Sequence, residues 1–192
     1  PADPSLALSG ELTVAFWLNR DSSELPQFLQ GILGSYMLTI PSHGKLEWYR
    51  SSSGHSDQFF VESVTSIPVN QWTHISAVMR DAGDGTYNAE LWVDGQLSAS
   101  SSSTEGIQNT QDDLVVLPAG KFDNIQIWNK ALAQADLPLL ANNQGFDISR
   151  DSLIVEYTFE NDSGGPNTIT HDSSGNGNHG SLHGENGGTI IQ

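Results

Sequence analysis

Residues 12–18 read Leu12-Thr13-Val14-Ala15-Phe16-Trp17-Leu18, an alternation that sets Leu12, Val14, Phe16 and Leu18 on one side of an extended chain. A strand with one apolar face has to lie against a core. The same period recurs at Ile75, Ala77 and Met79, set against Thr73, Ser76 and the charged Arg80. Turn signals punctuate these runs: Asp21-Ser22-Ser23, Pro41-Ser42-His43-Gly44, Ser51-Ser52-Ser53-Gly54, Ala82-Gly83-Asp84-Gly85 and Asp94-Gly95. Their spacing suits antiparallel hairpins in two packed sheets. Asp94-Gly95, between Leu91 and Val93 on one side and Leu97 on the other, reads as a type I′ hairpin turn. Only Lys130 to Leu137 reads as helix, ended by Pro138, and it is expected to cover one end of the sandwich. The run Ser98 to Thr104 reads as a loop or a polar edge strand.

The chain has 192 residues, of which 36% are hydrophobic, enough for the core of one all-β domain. No apolar stretch approaches the length of a membrane-spanning helix. Seven basic residues against 23 acidic ones give a net charge of −16, which disfavours nucleic acid or an anionic membrane as partner. Such acidity is tolerated in a salt-rich or calcium-rich exterior, where counterions screen the self-repulsion. There is no cysteine and no signal-peptide pattern, and Pro1-Ala2-Asp3-Pro4 reads as an excised module or linker end.

The loop His171-Asp172-Ser173-Ser174-Gly175-Asn176-Gly177-Asn178-His179-Gly180 crowds one carboxylate, two amides and three glycines together. Hard cations such as calcium take oxygen ligands from such side chains and from converging carbonyls. An ordinary Asn/Gly surface turn has the same composition.

Five segments together resemble laminin G-like domains of the concanavalin A-like lectin/glucanase superfamily. They are Leu12–Leu18, Gln71–Val78, Glu90–Gly95, Phe122–Leu132, and Leu153–Glu160 with the glycine loop behind it. The resemblance implies an all-β fold, a two-sheet antiparallel jelly-roll-type β-sandwich with one short helix. The segment that ordinarily opens such a domain stands here near the end. One domain over 1–192, circularly permuted and completed by 151–192, is therefore favoured over a chain that stops inside a following repeat. In related domains calcium lies between the glycine-rich loop and an aspartate of the hydrophobic-D-x-hydrophobic strand. By position this implies Asp172 and Asp123 as charged ligands, with oxygens from Asn176 and Asn178. A cation between two carboxylates turns their repulsion into attraction.

Catalysis finds little support. A retaining glycosidase needs two carboxyl groups about 5 to 5.5 Å apart, commonly on alternate residues of one strand in this fold. Glu90 with Asp94 and Glu156 with Glu160 are the nearest approaches; Asp94 is explained by its turn and Glu156 sits among apolar neighbours. Trp17, Trp72, Trp92, Trp128 and His74 fall in matched strands and read as structural. Trp48, Tyr49 and Arg50 are harder to assign to the core and are the candidate ligand contacts, an edge-strand role being the competing reading. Asp112 and Asp113, and Asp81 with Asp84, could hold a second calcium ion near the ligand-binding rim, although solvated loop carboxylates are the better reading.

The expected function is a calcium-dependent, non-catalytic adhesion module of a larger secreted or surface bacterial protein, binding a peptide end or a glycan outside the cell. Large RTX-type adhesins, whose ligand-binding regions contain such modules, are the expected host. The alternatives are a carbohydrate-binding module attached to a polysaccharide-degrading enzyme, or a glycanase or lyase itself.

Overall fold

The computed structural model describes residues 8, 10–21, 27–31, 36–49, 59–107, 114–117, 120–143, 147–160, 168–183 and 188–191. The strands are β1 (Leu12–Arg20), β2 (Gln27–Gly31), β3 (Tyr36–Ile40), β4 (Lys45–Tyr49), β5 (Phe60–Ser66), β6 (Trp72–Asp81) and β7 (Tyr87–Val93). They continue with β8 (Gln96–Ser103), β9 (Leu114–Leu117), β10 (Gly120–Trp128), β11 (Leu153–Tyr157), β12 (Ile169–Thr170), β13 (Gly180–His183) and β14 (Gly188–Ile191). Helix α1 (Leu137–Ala141) lies between β10 and β11. A six-stranded sheet runs β11-β10-β1-β6-β7-β8, and an eight-stranded sheet runs β12-β13-β14-β9-β2-β3-β4-β5. The pairings are antiparallel throughout, as a jelly-roll-type sandwich requires.

The alternation of β1 works as its sequence implies. Leu12, Val14, Phe16 and Leu18 join Ile75, Ala77 and Met79 of β6, Leu38 and Ile40 of β3, and Leu46 and Trp48 of β4 in the core between the sheets. The Asp94-Gly95 turn has φ of 48° and 73°, both left-handed, and joins β7 to β8. The serine run forms most of β8, a polar edge strand. Beyond its own segment, β11 pairs with β10 through Ile125↔Tyr157 and Ile127↔Val155, so residues after 150 form the other edge of this sheet.

A second cluster lies on the outer face of the six-stranded sheet. Ala15, Val78, Trp92 and Trp128 of the strands are covered there by Leu132, Leu137, Leu140 and Ile148. Thr13 fastens this cover: its hydroxyl donates to the Lys130 carbonyl at 2.8 Å and accepts the Leu132 N–H at 2.9 Å. The helix is displaced from its expected position. Pro138 opens the helix instead of ending it, because the first turn has no use for the N–H that proline lacks. Gly95 lets the β7–β8 turn approach: a Cβ there would stand 2.8 Å from Pro138 Cα.

Candidate functional site

Next to this cover the outer face opens into a cavity of about 640 Å³, lined by Trp17, Trp72, His74, Asp123, Asn124, Gln126, Leu140, Asn143, Arg150 and Glu156. Strand register builds its floor. Trp17 pairs with His74 on β6 and with Asp123 on β10, and Gln126 pairs with Glu156 on β11. Helix α1 supplies Leu140.

A bulge on β10 determines which side chains reach the cavity. Between Ala15↔Gln126 and Trp17↔Asp123, β1 advances by two residues while β10 advances by three. The extra residue is Asn124, at φ 48°. Asparagine accepts this left-handed conformation better than most residues. Ile125 and Ile127 therefore stay in the core with Phe122 packed against it, while the consecutive Asp123 and Asn124 both line the cavity.

The aromatic side is unequal in exposure. Trp72 is 42% exposed, whereas His74 is 3% exposed and sits edge-on to the Trp17 ring, with centroids 5.2 Å apart. Burial pushes the His74 imidazole down to about 4, so it is neutral near pH 7, and its Nδ1 has no hydrogen-bond partner among the described residues. On the opposite side Arg150 grips Glu156 with both arms: Nη1 donates to Oε1 at 3.2 Å and Nη2 to Oε2 at 2.6 Å. Gln126 donates to the same carboxylate at 2.7 Å. Burial pushes the Glu156 carboxyl up, but the bonds from Arg150 and Gln126 outweigh it and leave the group below its usual value. Asp123 is shifted the other way, by burial and by the charge of Glu160, against one bond from the Asn124 N–H at 2.9 Å.

The glycine loop is tied to β11 through the Asp172 carboxylate and the two amides. Asp172 Oδ1 accepts the N–H groups of Glu156 and Ser174, both at 2.9 Å. Its Oδ2 accepts the Ser174 hydroxyl at 2.7 Å and the Asn178 N–H at 3.0 Å. A carboxylate offers about four lone-pair positions, and all are taken. Asn176 and Asn178 aim amide nitrogens at β11, at the carbonyls of Leu153 (2.9 Å) and Ile154 (2.8 Å). Ser173 N–H meets the Glu156 carbonyl at 2.8 Å. The loop thus satisfies the outward-facing backbone of an edge strand. Asp123 lines the cavity, and the one hydrogen bond its carboxylate makes is to the Asn124 N–H. These residues do not fit a calcium ion held between Asp123 and Asp172, since N–H donors occupy the Asp172 positions a cation would need.

The candidate ligand contacts are also redistributed. Trp48 is fully buried, edge-on to Phe59 in the core, so its ring cannot be a platform. Strand parity explains this: in Lys45-Leu46-Glu47-Trp48-Tyr49, Trp48 shares the inward phase of Leu46. Tyr49 is on the outer face of the eight-stranded sheet beside the half-exposed Phe60, and its hydroxyl donates to Met37 Sδ. Arg50, Asp112 and Asp113 lie outside the described residues. Trp17 and Trp72, read from sequence as structural, are the aromatic groups of the cavity. The signal for them was present, since a core phase of Leu12, Val14, Phe16 and Leu18 puts Trp17 on the other face. Glu90 and Asp94 are engaged within the fold. Glu90 binds Arg80, Trp92 and Gln134, and Asp94 accepts the His74 N–H at 2.8 Å.

No curated protein matches the sequence at a significant level. Among solved structures, a candidate carbohydrate-binding protein from Bacteroides ovatus aligns over 94% of this chain with TM-score 0.62 and 16% identity. This chain spans 52% of that one. The binding domain of botulinum neurotoxin DC in complex with SialylT aligns over 74% of this chain and 38% of its own, with TM-score 0.54 and 15% identity. The CBM40 domain of the Ruminococcus gnavus IT-sialidase, bound to α2,3 sialyllactose, aligns over 72% of this chain and 86% of its own, with TM-score 0.50 and 16% identity. At these identities the likeness is one of fold. The laminin G-type family model matches residues 1–137, so the chain belongs to the concanavalin A-like lectin/glucanases superfamily.

Proposed function

We propose that this domain is a non-catalytic, lectin-type binding module that takes a glycan in the cavity over β6, β1, β10 and β11. The observation that carries this reading is an open indole at the rim, Trp72, facing a floor of convergent polar groups, Asp123, Asn124 and Gln126. Sugars stack an apolar ring face on an aromatic and satisfy their hydroxyls on carboxylates and amides. The solved structures named for sialyllactose and for carbohydrate binding add support from the same fold.

The non-catalytic part rests on Glu156. Both of its oxygens are held by Arg150 and Gln126, so Glu156 is neither a free nucleophile nor a ready proton donor. Asp123, whose carboxyl burial raises, has no unengaged carboxylate beside it among the lining residues to complete a glycosidase pair. The setting we propose is outside the cell, within a larger secreted or surface chain such as an adhesin, supported by the net charge of −16, which counterions of a salt-rich exterior screen. Calcium is not part of this reading. A glycan array probed with the wild type and with Trp72→Ala tests it: a discrete set of glycans should bind the wild type and lose at least tenfold with Trp72→Ala. A blank wild-type array overturns the reading.

A further inference from the structure

The charges around the cavity are arranged asymmetrically. Arg150 is the sole cationic side chain among the lining residues, His74 being neutral near pH 7, and it faces two lining carboxylates, Asp123 and Glu156. Its guanidinium is already committed, twice to Glu156 and once, through Nη2, to the Ser173 carbonyl at 3.2 Å. Behind these groups stand two further acids: Asp172, whose charge is felt by both Glu156 and Arg150, and Glu160, whose charge is felt by Asp123. An incoming carboxylate would have to displace Glu156 from Arg150 and would still meet Asp123 and the field of a strongly acidic chain. A hydroxyl faces no such barrier, since it can donate to Asp123 and accept from an amide such as Asn124 or Asn143.

We infer that this cavity selects uncharged, hydroxyl-bearing sugars and rejects acidic ones, with Glu156 as the specificity-determining residue that keeps Arg150 from pairing with a ligand carboxylate. The inference rests on the glycan-binding reading above and sharpens it in a direction opposite to the sialylated ligands of the structures sharing the fold. Selectivity here comes from a repulsive arrangement as well as an attractive one.

The test uses matched pairs of immobilised glycans, each neutral oligosaccharide beside its sialylated and its uronic-acid counterpart, with affinities of hits measured by calorimetry. The wild type should bind the neutral member at least tenfold more tightly than either acid, and Trp72→Ala should abolish that binding. Glu156→Gln, which releases Arg150 and removes one negative charge, should narrow or invert the preference. Acidic members bound as tightly as neutral ones by the wild type would overturn the selectivity while leaving glycan binding intact. Neutral binding indifferent to Trp72→Ala would overturn it by moving the ligand elsewhere, and binding of neither class removes both readings. The wild-type pair comparison stands even if Glu156→Gln folds poorly.

Discussion

The backbone N–H of Glu156 is bound at 2.9 Å by the carboxylate of Asp172, while the side chain of Glu156 is bound by Arg150 across the strand's other aspect. One residue of β11 therefore joins the glycine loop to the cavity. What the loop loses, the cavity floor should register.

Asp172→Ala should destabilise the domain by on the order of 3 kcal/mol, because it strips an acceptor from three backbone N–H groups at once. Asp172→Asn should recover part of the loss. Equilibrium urea melts followed by tryptophan fluorescence provide the measurement, and a wild-type-like Asp172→Ala would show that the loop is dispensable to the edge.

Asp123→Ala and Asp172→Ala should act additively in the double variant, within about 0.5 kcal/mol, since they share no hydrogen-bond partner. Wild-type melts in calcium and in chelator should coincide. A calcium-dependent rise in melting temperature together with strong non-additivity would place one ion between the two residues after all.

His74 gives the fold a pH limb. Its imidazole ordinarily titrates near 6.5 and is pushed by burial to about 4, so between those values the unfolded chain binds a proton that the native one refuses. Stability therefore falls as pH drops through this window, by on the order of 3 kcal/mol in all. The Asp172 and Glu156 carboxyls, both below their usual values, add their losses only at more acid pH, as pH falls through the ordinary carboxylate range and then through their lowered values. His74→Gln should flatten the limb above pH 5, read from denaturation midpoints at a series of pH values.

Asn124→Val should cost about 1 to 2 kcal/mol, because a branched side chain resists the left-handed φ of 48°. Asn124→Gly should fold as well as the wild type. Comparable melting of the valine and glycine variants would mean that the bulge relaxes away.

A chain ending at Arg150 should aggregate. It would leave β10 as a bare edge and uncover Ile125 and Ile127 where Tyr157 and Val155 now pair. Size-exclusion chromatography of the purified 1–150 fragment decides the matter, a monomeric, cooperatively melting species being the contrary outcome.

Much of the fold is legible in the sequence because side-chain period and strand face are the same physical fact. Leu12 to Leu18, the Asp94-Gly95 turn and the serine edge strand all follow from local rules. The helix lies later than Lys130 to Leu137 because proline, which stops a helix from within, serves equally well in its first turn. For tryptophan, size and family position say little about facing: its phase along the strand decides whether it points inward, as Trp48 does, or outward, as Trp17 does. The β10 bulge has no periodic signature beyond one asparagine, so the pairing of Asp123 with Asn124 on one face needed the register to be seen. The glycine loop has the composition of a cation site, and composition alone does not say whether donors or a metal will reach Asp172 first.

The extra residue of β10 also separates two kinds of inheritance. Phe122 and Ile125 keep the phase that the core demands, whatever stands between them. Position 123 is then free to change its chemistry, and position 124 is confined only to residues at ease with a left-handed backbone. A lineage could retune what the cavity recognises through these two positions alone, one mutation at a time, with the sandwich beneath them unaltered.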